Sequence, residues 1–188
     1  MPIAELRLER HTPDATIEVL DDLVDVYAQV YNVPPYVDDP FFTPEMFRDR
    51  LRLATEMPGF ECLSAQTGDG SMIGLVHGVT LPADRAWWVS LGALRPAELA
   101  EATAAGAVGW LRELMVLPGH GRRGVGRRLH DEWIAGRGQR WTTLTCIPDN
   151  EPAHGAYLRW GYKIMGQIKH ADDSPVYDAM ALPNPPVA

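Results

Sequence analysis

Residues 111–133 read LRELMVLPGHGRRGVGRRLHDEW, an apolar strand-like run that breaks at Pro118-Gly119 and returns as a glycine- and arginine-rich turn opening a helix. Glycine allows otherwise forbidden φ values and close approach to the backbone. The arginines beside it point to a polyanion. Val125, Leu129 and Trp133, each four apart, give the helix a buried face, while Arg127, Arg128, Asp131 and Glu132 stay polar. A helix starting near Gly124-Val125-Gly126 presents its first amides and its positive dipole end at the turn, which suits a pyrophosphate.

Two other glycine patterns compete and fit less well. Gly119, Gly121 and Gly124 match the dinucleotide spacing G-x-G-x-x-G, but that motif belongs in an early βαβ unit with an acid ending the next strand. Here the next strand-like run, WTTLTCI (residues 141–147), ends without one. The nucleotide phosphate loop fails because Val125 and Gly126 stand where lysine and a hydroxyl are required. Taken alone, the turn is equally compatible with a tight strand-to-helix connection carrying a solvated arginine face.

A second segment decides between these readings. In DNEPAHGAYLRWGY (residues 149–162), Asn150, Ala153 and Tyr157 fall at i, i+3 and i+7 on one helix face. A short side chain between two polar ones leaves room for a slender ligand. Together, VLPGHGRRGVGRRL and N-x-x-A-x-x-A-Y-L-R-W-G-Y resemble the acyl-CoA pyrophosphate loop and the second motif of the GNAT acetyltransferase superfamily. The resemblance is tight over residues 108–163. One position departs from it: Gly121 stands where the family loop usually carries Arg or Gln, and Arg122 follows.

The resemblance implies a single α/β (α+β) domain over residues 1–182, with a mixed, mostly antiparallel central sheet flanked by helices, and a Pro-rich tail at 183–188. It implies acetyl-CoA as co-substrate, with no metal. Pantetheine would meet the backbone near Met115 and Val116, and the pyrophosphate the amides of Arg123, Gly124, Val125, Gly126 and Arg127. Arg122 or Arg123 would supply the side-chain grip that Gly121 cannot, and Asn150, Ala153 and Tyr157 would line the cofactor. Tyr157 would be the acid: a phenol of pKa ~10 can donate to a thiolate whose thiol lies near ~8.5. An aromatic that merely packs is the alternative. Glu113 would be the base, its pKa raised among apolar neighbours Leu111 and Met115; an ion pair with a nearby arginine, or a carboxylate that only steers while water carries the proton, are alternatives. In this family the acceptor site is framed by the first helical pair and by loops, which points to Tyr36, Asp38, Asp39, Phe41, Phe42 and the Trp87-Trp88 loop. Acids beside aromatic rings suit a small cationic amine, aminoglycoside-like or other. A protein or peptide amine, and a non-catalytic acyl-CoA sensor, stand as alternatives. Dimers are frequent in the family, so a homodimer is an open expectation.

The rest of the chain fits this frame. With 188 residues and 46% hydrophobic residues it can bury one proper core. No run approaches the ~20 apolar residues of a membrane helix, and the opening MPIAELRLERH lacks a secretory layout, so a cytoplasmic protein is expected. A net charge of −8 argues against general nucleic-acid binding. The charge is uneven: residues 1–50 hold eleven acids against four arginines, a balance of −7, whereas residues 112–140 hold seven arginines against three acids, a balance of +4.

Residues 3–9 read as a first strand. A helix follows, capped by Thr12 with Pro13 at its first position and buried through Ile17, Leu20, Val24, Tyr27 and Tyr31. Thr43-Pro44-Glu45 opens another, ended by Met57-Pro58-Gly59. Gly68-Asp69-Gly70-Ser71 marks a hairpin. Cys62 and Cys146 read as buried thiols, which leaves direct attack rather than a covalent enzyme intermediate. His77, sharing a strand face with Ile73, Leu75 and Val79, reads as a satisfied core histidine; His120 and His154 are expected at the solvent edge.

Overall fold

A strand in the middle of the chain, β4 (Val108–Val116), organises the architecture. The structure, a computed structural model, describes residues 6–34 and 36–185; residues 3–5 of the expected first strand and 186–188 of the expected tail lie outside the described residues. Ahead of β4 come β1 (Arg7–His11), α1 (Pro13–Glu18), α2 (Leu20–Val30), α3 (Pro44–Thr55), β2 (Glu61–Gln66), β3 (Met72–Thr80), α4 (Ala86–Ser90) and α5 (Ala97–Ala104). After it come α6 (Val125–Ala135), β5 (Trp141–Cys146), α7 (Glu151–Arg159), β6 (Lys163–Ile168) and β7 (Tyr177–Pro183). The strands form a seven-stranded sheet in the order β1-β2-β3-β4-β5-β7-β6. The β1–β2, β2–β3, β5–β7 and β6–β7 pairs are antiparallel, and β4 runs parallel to β5. This is the mixed, mostly antiparallel α/β class expected from the motifs.

The chain gathers into two compact units, one running up to Val79 and including Arg112–Gly136, the other made of Thr80–Leu111 and the chain from Arg137 onward. Strand β4 passes from the second into the first. In the first unit, Leu20, Leu23, Val24, Val26, Tyr27, Phe47, Leu51, Cys62, Leu75 and Met115 bury a common core. Gly74 of β3 lies so near β4 that a Cβ would stand 2.7 Å from the Met115 carbonyl oxygen, so this approach admits only glycine. Leu117 N donates to Ile73 O at 2.8 Å just beyond β4.

Two helices start as their sequences dictate. Thr12 Oγ1 accepts from Ala15 N at 3.2 Å, and Thr43 Oγ1 from Met46 N at 3.2 Å. The single helix expected over residues 12–31, however, is two. Val19, at φ −102° and ψ 16°, leaves helical geometry, and the break changes the phase of the buried face. Thr16 turns inward, its hydroxyl donating to Thr12 O at 2.9 Å, while Ile17 is exposed.

In the second unit, Val108 pairs with Trp141 and Trp110 with Thr143. Gln139 ties this layer together, donating to Thr80 Oγ1 at 3.0 Å and to Val108 O at 3.2 Å. The expected Trp87-Trp88 loop is instead the short helix α4, with both indoles buried. Asn184, just past β7, accepts from Thr142 Oγ1 and donates to Gln139 O, each at 2.8 Å.

Candidate active site

The turn after β4 holds two residues in left-handed conformation, Arg122 at φ 58° and Gly124 at φ 82°. A 3-10 turn over Pro118–His120 precedes them, and Gly124 is the N-cap of α6 without any side-chain cap. Arg128 N donates to Gly124 O at 3.0 Å, so the helix points its N-terminal end, with its positive dipole, at the turn. Among the described residues a Cβ would meet nothing within 4 Å at Gly119, the Pro118 carbonyl at 3.5 Å at Gly121, and Val116 Cγ2 at 3.6 Å at Gly126. Nothing among these residues therefore demands a bare backbone at the three positions, and their smallness leaves the turn open to a ligand. Gly121, at φ −61°, sits in ordinary extended backbone; the strain lies one residue on, at Arg122.

The stripe Val125, Leu129 and Trp133 is buried, as its spacing predicts. Arg122 and Arg123 are exposed. The Arg127 guanidinium donates to Asp131 Oδ2 at 2.6 Å, so its side chain is engaged on its own helix. Because the Met115 carbonyl lies against Gly74 and the Leu117 amide donates to β3, strand alternation turns the N–H and C=O of Val116 away from β3. His120 is half-buried, and its Nδ1 has no hydrogen-bond partner.

Two residues before Met115, Glu113 leaves only 16% of its side chain exposed. Its Oε2 accepts the Tyr31 hydroxyl at 2.8 Å, and its Oε1 lies 4.0 Å from Arg50 Nη2. Burial raises the Glu113 pKa above the usual carboxylate range, while Arg50, the Tyr31 hydrogen bond and Arg112 pull the other way. Tyr31 is itself pushed well above the ordinary phenol value, first by burial and then by the Glu113 charge. Arg50 is anchored as well: it donates to Phe41 O at 2.9 Å and to the Tyr27 hydroxyl at 3.2 Å. Aromatic rings wall the group, with Tyr31 4.1 Å from Tyr27, 4.5 Å from Tyr36 and 5.7 Å from Phe42.

Of the expected acceptor residues, Tyr36 and Phe41 thus lie in the cluster around Glu113, Phe41 with Arg50 stacked 5.4 Å from its ring centroid. Asp39 Oδ1 accepts from Phe41 N at 2.8 Å and caps a 3-10 turn over Pro40–Phe42. Asp38 is exposed, in left-handed backbone at φ 67°. Trp87 belongs to the second unit, where its ring packs on Trp88 at 5.9 Å and Trp110 at 5.6 Å, with its indole nitrogen unpartnered. Arg50 carries no mark of this role in the sequence, and Tyr31 reads there only as a core residue. A tyrosine at the end of the buried stripe is the one available signal.

His77 corrects an expectation in part. It is a core residue, 2% exposed between the rings of Phe47 and Phe60, but it is not satisfied, because Nδ1 has no partner. Burial, then the Arg112 and Arg50 charges, hold its pKa well below the usual imidazole value.

In the second unit, Asn150 caps α7, its Oδ1 accepting from Ala153 N at 3.4 Å. Tyr157 is buried, its ring edge-on to Trp160 and Tyr162 at 5.5 Å each. Ala153 is half-buried between these positions. His154, expected at the solvent edge, is only 17% exposed and meets Asp178 Oδ2 through Nε2 at 2.8 Å. Its position one turn after the cap points it at β7, an interaction no local pattern announces.

A family model described as the acetyltransferase (GNAT) family matches residues 20–162. No curated protein sequence matches the chain. Solved structures with a similar fold include PaiA N-acetyltransferase from Thermoplasma acidophilum in complex with coenzyme A, 13% identical, with 96% of this chain and 99% of that one covered and a TM-score of 0.60. An acetyltransferase from Thermus thermophilus is 17% identical over 97% of this chain and 99% of its own, at a TM-score of 0.64. A structure described as histone acetyltransferase HPA2 and related acetyltransferase, from Corynebacterium glutamicum, is 18% identical over 97% and 98%, at 0.63. At these identities the likeness is one of fold. No helix among the described residues is long and apolar enough to cross a membrane.

Proposed function

Because the chain belongs to the acetyltransferase (GNAT) family, we propose that it transfers the acetyl group of acetyl-CoA to the primary amine of a small molecule by direct attack. The observation that carries the reading is that one strand and the turn after it supply, within one compact unit, a buried carboxylate at Glu113 and an anion-receptive turn at residues 121–126. Acetyl-CoA supplies the activated acetyl group and a thiolate leaving group.

Glu113 takes a proton from the ammonium of the acceptor. Its raised pKa makes it a better match for that proton than an ordinary carboxylate. Tyr31 and Arg50 aim it and keep its charged form accessible. The amine nitrogen forms the new N–C bond as the C–S bond breaks; Tyr157 gives a proton to the departing sulfur, and the second proton shed by the acylated nitrogen makes good the one that Tyr157 gave. The bare turn at Gly119, Gly121 and Gly126 and the amide-bearing end of α6 support pyrophosphate binding there, with Arg122 and Arg123 at its rim. Asn150, Ala153 and Tyr157, on one side of α7, line the cofactor in this reading, and the Val116 backbone is the group best turned for pantetheine.

The test is calorimetric titration of the purified chain with CoA, followed by thiol release from acetyl-CoA across amines, amino acids and peptides. CoA binding with amine-dependent thiol release is the expected result. Absence of CoA binding overturns the proposal, and binding without turnover on any acceptor marks a sensor instead.

A further inference from the structure

We infer that a cleft walled by β1, the α1–α2 pair and the β2–β3 hairpin binds a linear aliphatic polyamine through Glu18, Asp22 and Asp25. The cleft has a volume of about 430 Å³, and the residues lining it all belong to the first unit. None of Glu113, Tyr31 and Arg50 is among them. Its charged wall is of one sign: Glu9 comes from β1, Glu18 from the end of α1, and Asp22 and Asp25 from α2. Among the described residues no lysine or arginine lines it. A cleft lined by one sign of charge focuses the field and gathers counter-charge. Glu9 is committed to the Arg7 guanidinium at 2.8 Å and to the Gln66 carboxamide at 2.9 Å. Glu18, Asp22 and Asp25 have no ion pair or side-chain hydrogen bond among the described residues, whereas Asp21 on the same helix is paired with Arg48 at 2.7 Å.

His11 supplies a buried polar group on the same wall. The residue is only 6% exposed; Nε2 meets Ser64 Oγ at 2.9 Å, and Nδ1 has no hydrogen-bond partner among the described residues. Burial holds its pKa below the usual imidazole value against the opposing pull of Glu9, so the ring is uncharged at neutral pH. With its proton on Nε2, shared with the Ser64 oxygen, Nδ1 is an acceptor suited to an ammonium N–H. A buried nitrogen of this kind calls for a donor. Asp22, Asp25 and Gln29 fall at i, i+3 and i+7 on one side of α2. Glu18 joins them on the cleft from across the helix break at Val19. Val19, Val26 and Met72 make part of the lining apolar, and the methylene chain between the ammoniums of a polyamine suits such a mixture. No group of three carboxylate, imidazole or thiol side chains among the described residues is gathered closely enough to hold a metal ion. The charge is spread along the cleft, which matches several ammoniums on one flexible chain better than a single cation.

The experiment titrates the full chain with spermidine by calorimetry, without acetyl-CoA and at low ionic strength, where such pairs are least screened. Saturable binding is expected. Asp22→Asn combined with Asp25→Asn should weaken it by about tenfold; both side chains are exposed, and the amides keep their shape. Ser71→Lys, which tethers an ammonium at the cleft, is an independent variant and should weaken binding by a similar factor. Removing the same charge from α5, by Glu98→Gln with Glu101→Gln, should change the affinity by less than about twofold, and so should Glu113→Gln. Absence of saturable binding, affinity kept in both cleft variants, a loss shared by the α5 variant, a loss in Glu113→Gln, or displacement by Mg²⁺ at equal charge overturns the inference. The Mg²⁺ competition and the titration of the unmodified chain stand whether or not the variants fold. A chain that binds spermidine in this way but does not bind CoA refutes the transferase reading and leaves the cleft standing; CoA binding without spermidine binding does the reverse.

Discussion

The Tyr31 hydroxyl donates to Glu113 Oε2 at 2.8 Å, joining the C-cap of α2 to the strand that leads into the glycine turn. The bond stabilises the carboxylate against the burial that raises its pKa. Removing it in Tyr31→Phe should raise the Glu113 pKa further, because the hydrogen bond favours the charged form. The acid limb of the kcat/KM profile should move to higher pH. A profile that keeps its midpoint would show that Glu113 is not the group being titrated.

Tyr157→Phe keeps the ring packed on Trp160 and Tyr162 and removes only the hydroxyl. If that hydroxyl protonates the thiolate, kcat should fall by roughly 10²–10⁴-fold while calorimetry finds CoA affinity preserved. An unchanged kcat would leave Tyr157 as a packing aromatic.

Arg122 sits at φ 58°, where a side chain is strained and glycine is not. Arg122→Gly should therefore stabilise the fold by roughly 0.5–1 kcal/mol, read from the midpoint of urea unfolding. With the pyrophosphate held mainly by amides, CoA affinity should weaken by less than about tenfold, or ~1.4 kcal/mol. A larger loss would assign the grip to the guanidinium.

His77 titrates against the fold. Its folded pKa lies below the ordinary 6.5 through burial first and the Arg112 and Arg50 charges next. The neutral form is the one the fold accepts, so its contribution to stability is present above pH 6.5 and is lost as pH falls from there through the folded value. His77→Leu removes both this proton uptake and the unpartnered Nδ1. Its melting temperature should match or exceed the parent's at neutral pH and fall less steeply below pH 6.5. An identical acid limb in the two proteins would show that His77 is not protonated on unfolding.

Short-range chemistry was legible in the residues alone. A cap, a helix stop or a glycine turn acts within about one helical turn of chain, so Thr12, Thr43, Asn150 and Met57-Pro58-Gly59 could be read directly. The stripe on α6 and the anion-seeking turn before it belong to the same class, and with the Asn150/Ala153/Tyr157 spacing they pointed to the family. The helix break at Val19 was not legible, because a continuous apolar period runs through it and only packing chose Thr16 over Ile17 for the inside. Nor was the burial of Trp87 and Trp88, which depends on rings far along the chain. The clearest case is Glu113: its identity as a base candidate follows from a carboxylate in an apolar strand, but its partner is 82 residues away. Tyr31 and Arg50 converge on it only when α2, α3 and β4 are brought together, and that convergence opposes the burial that raises its pKa.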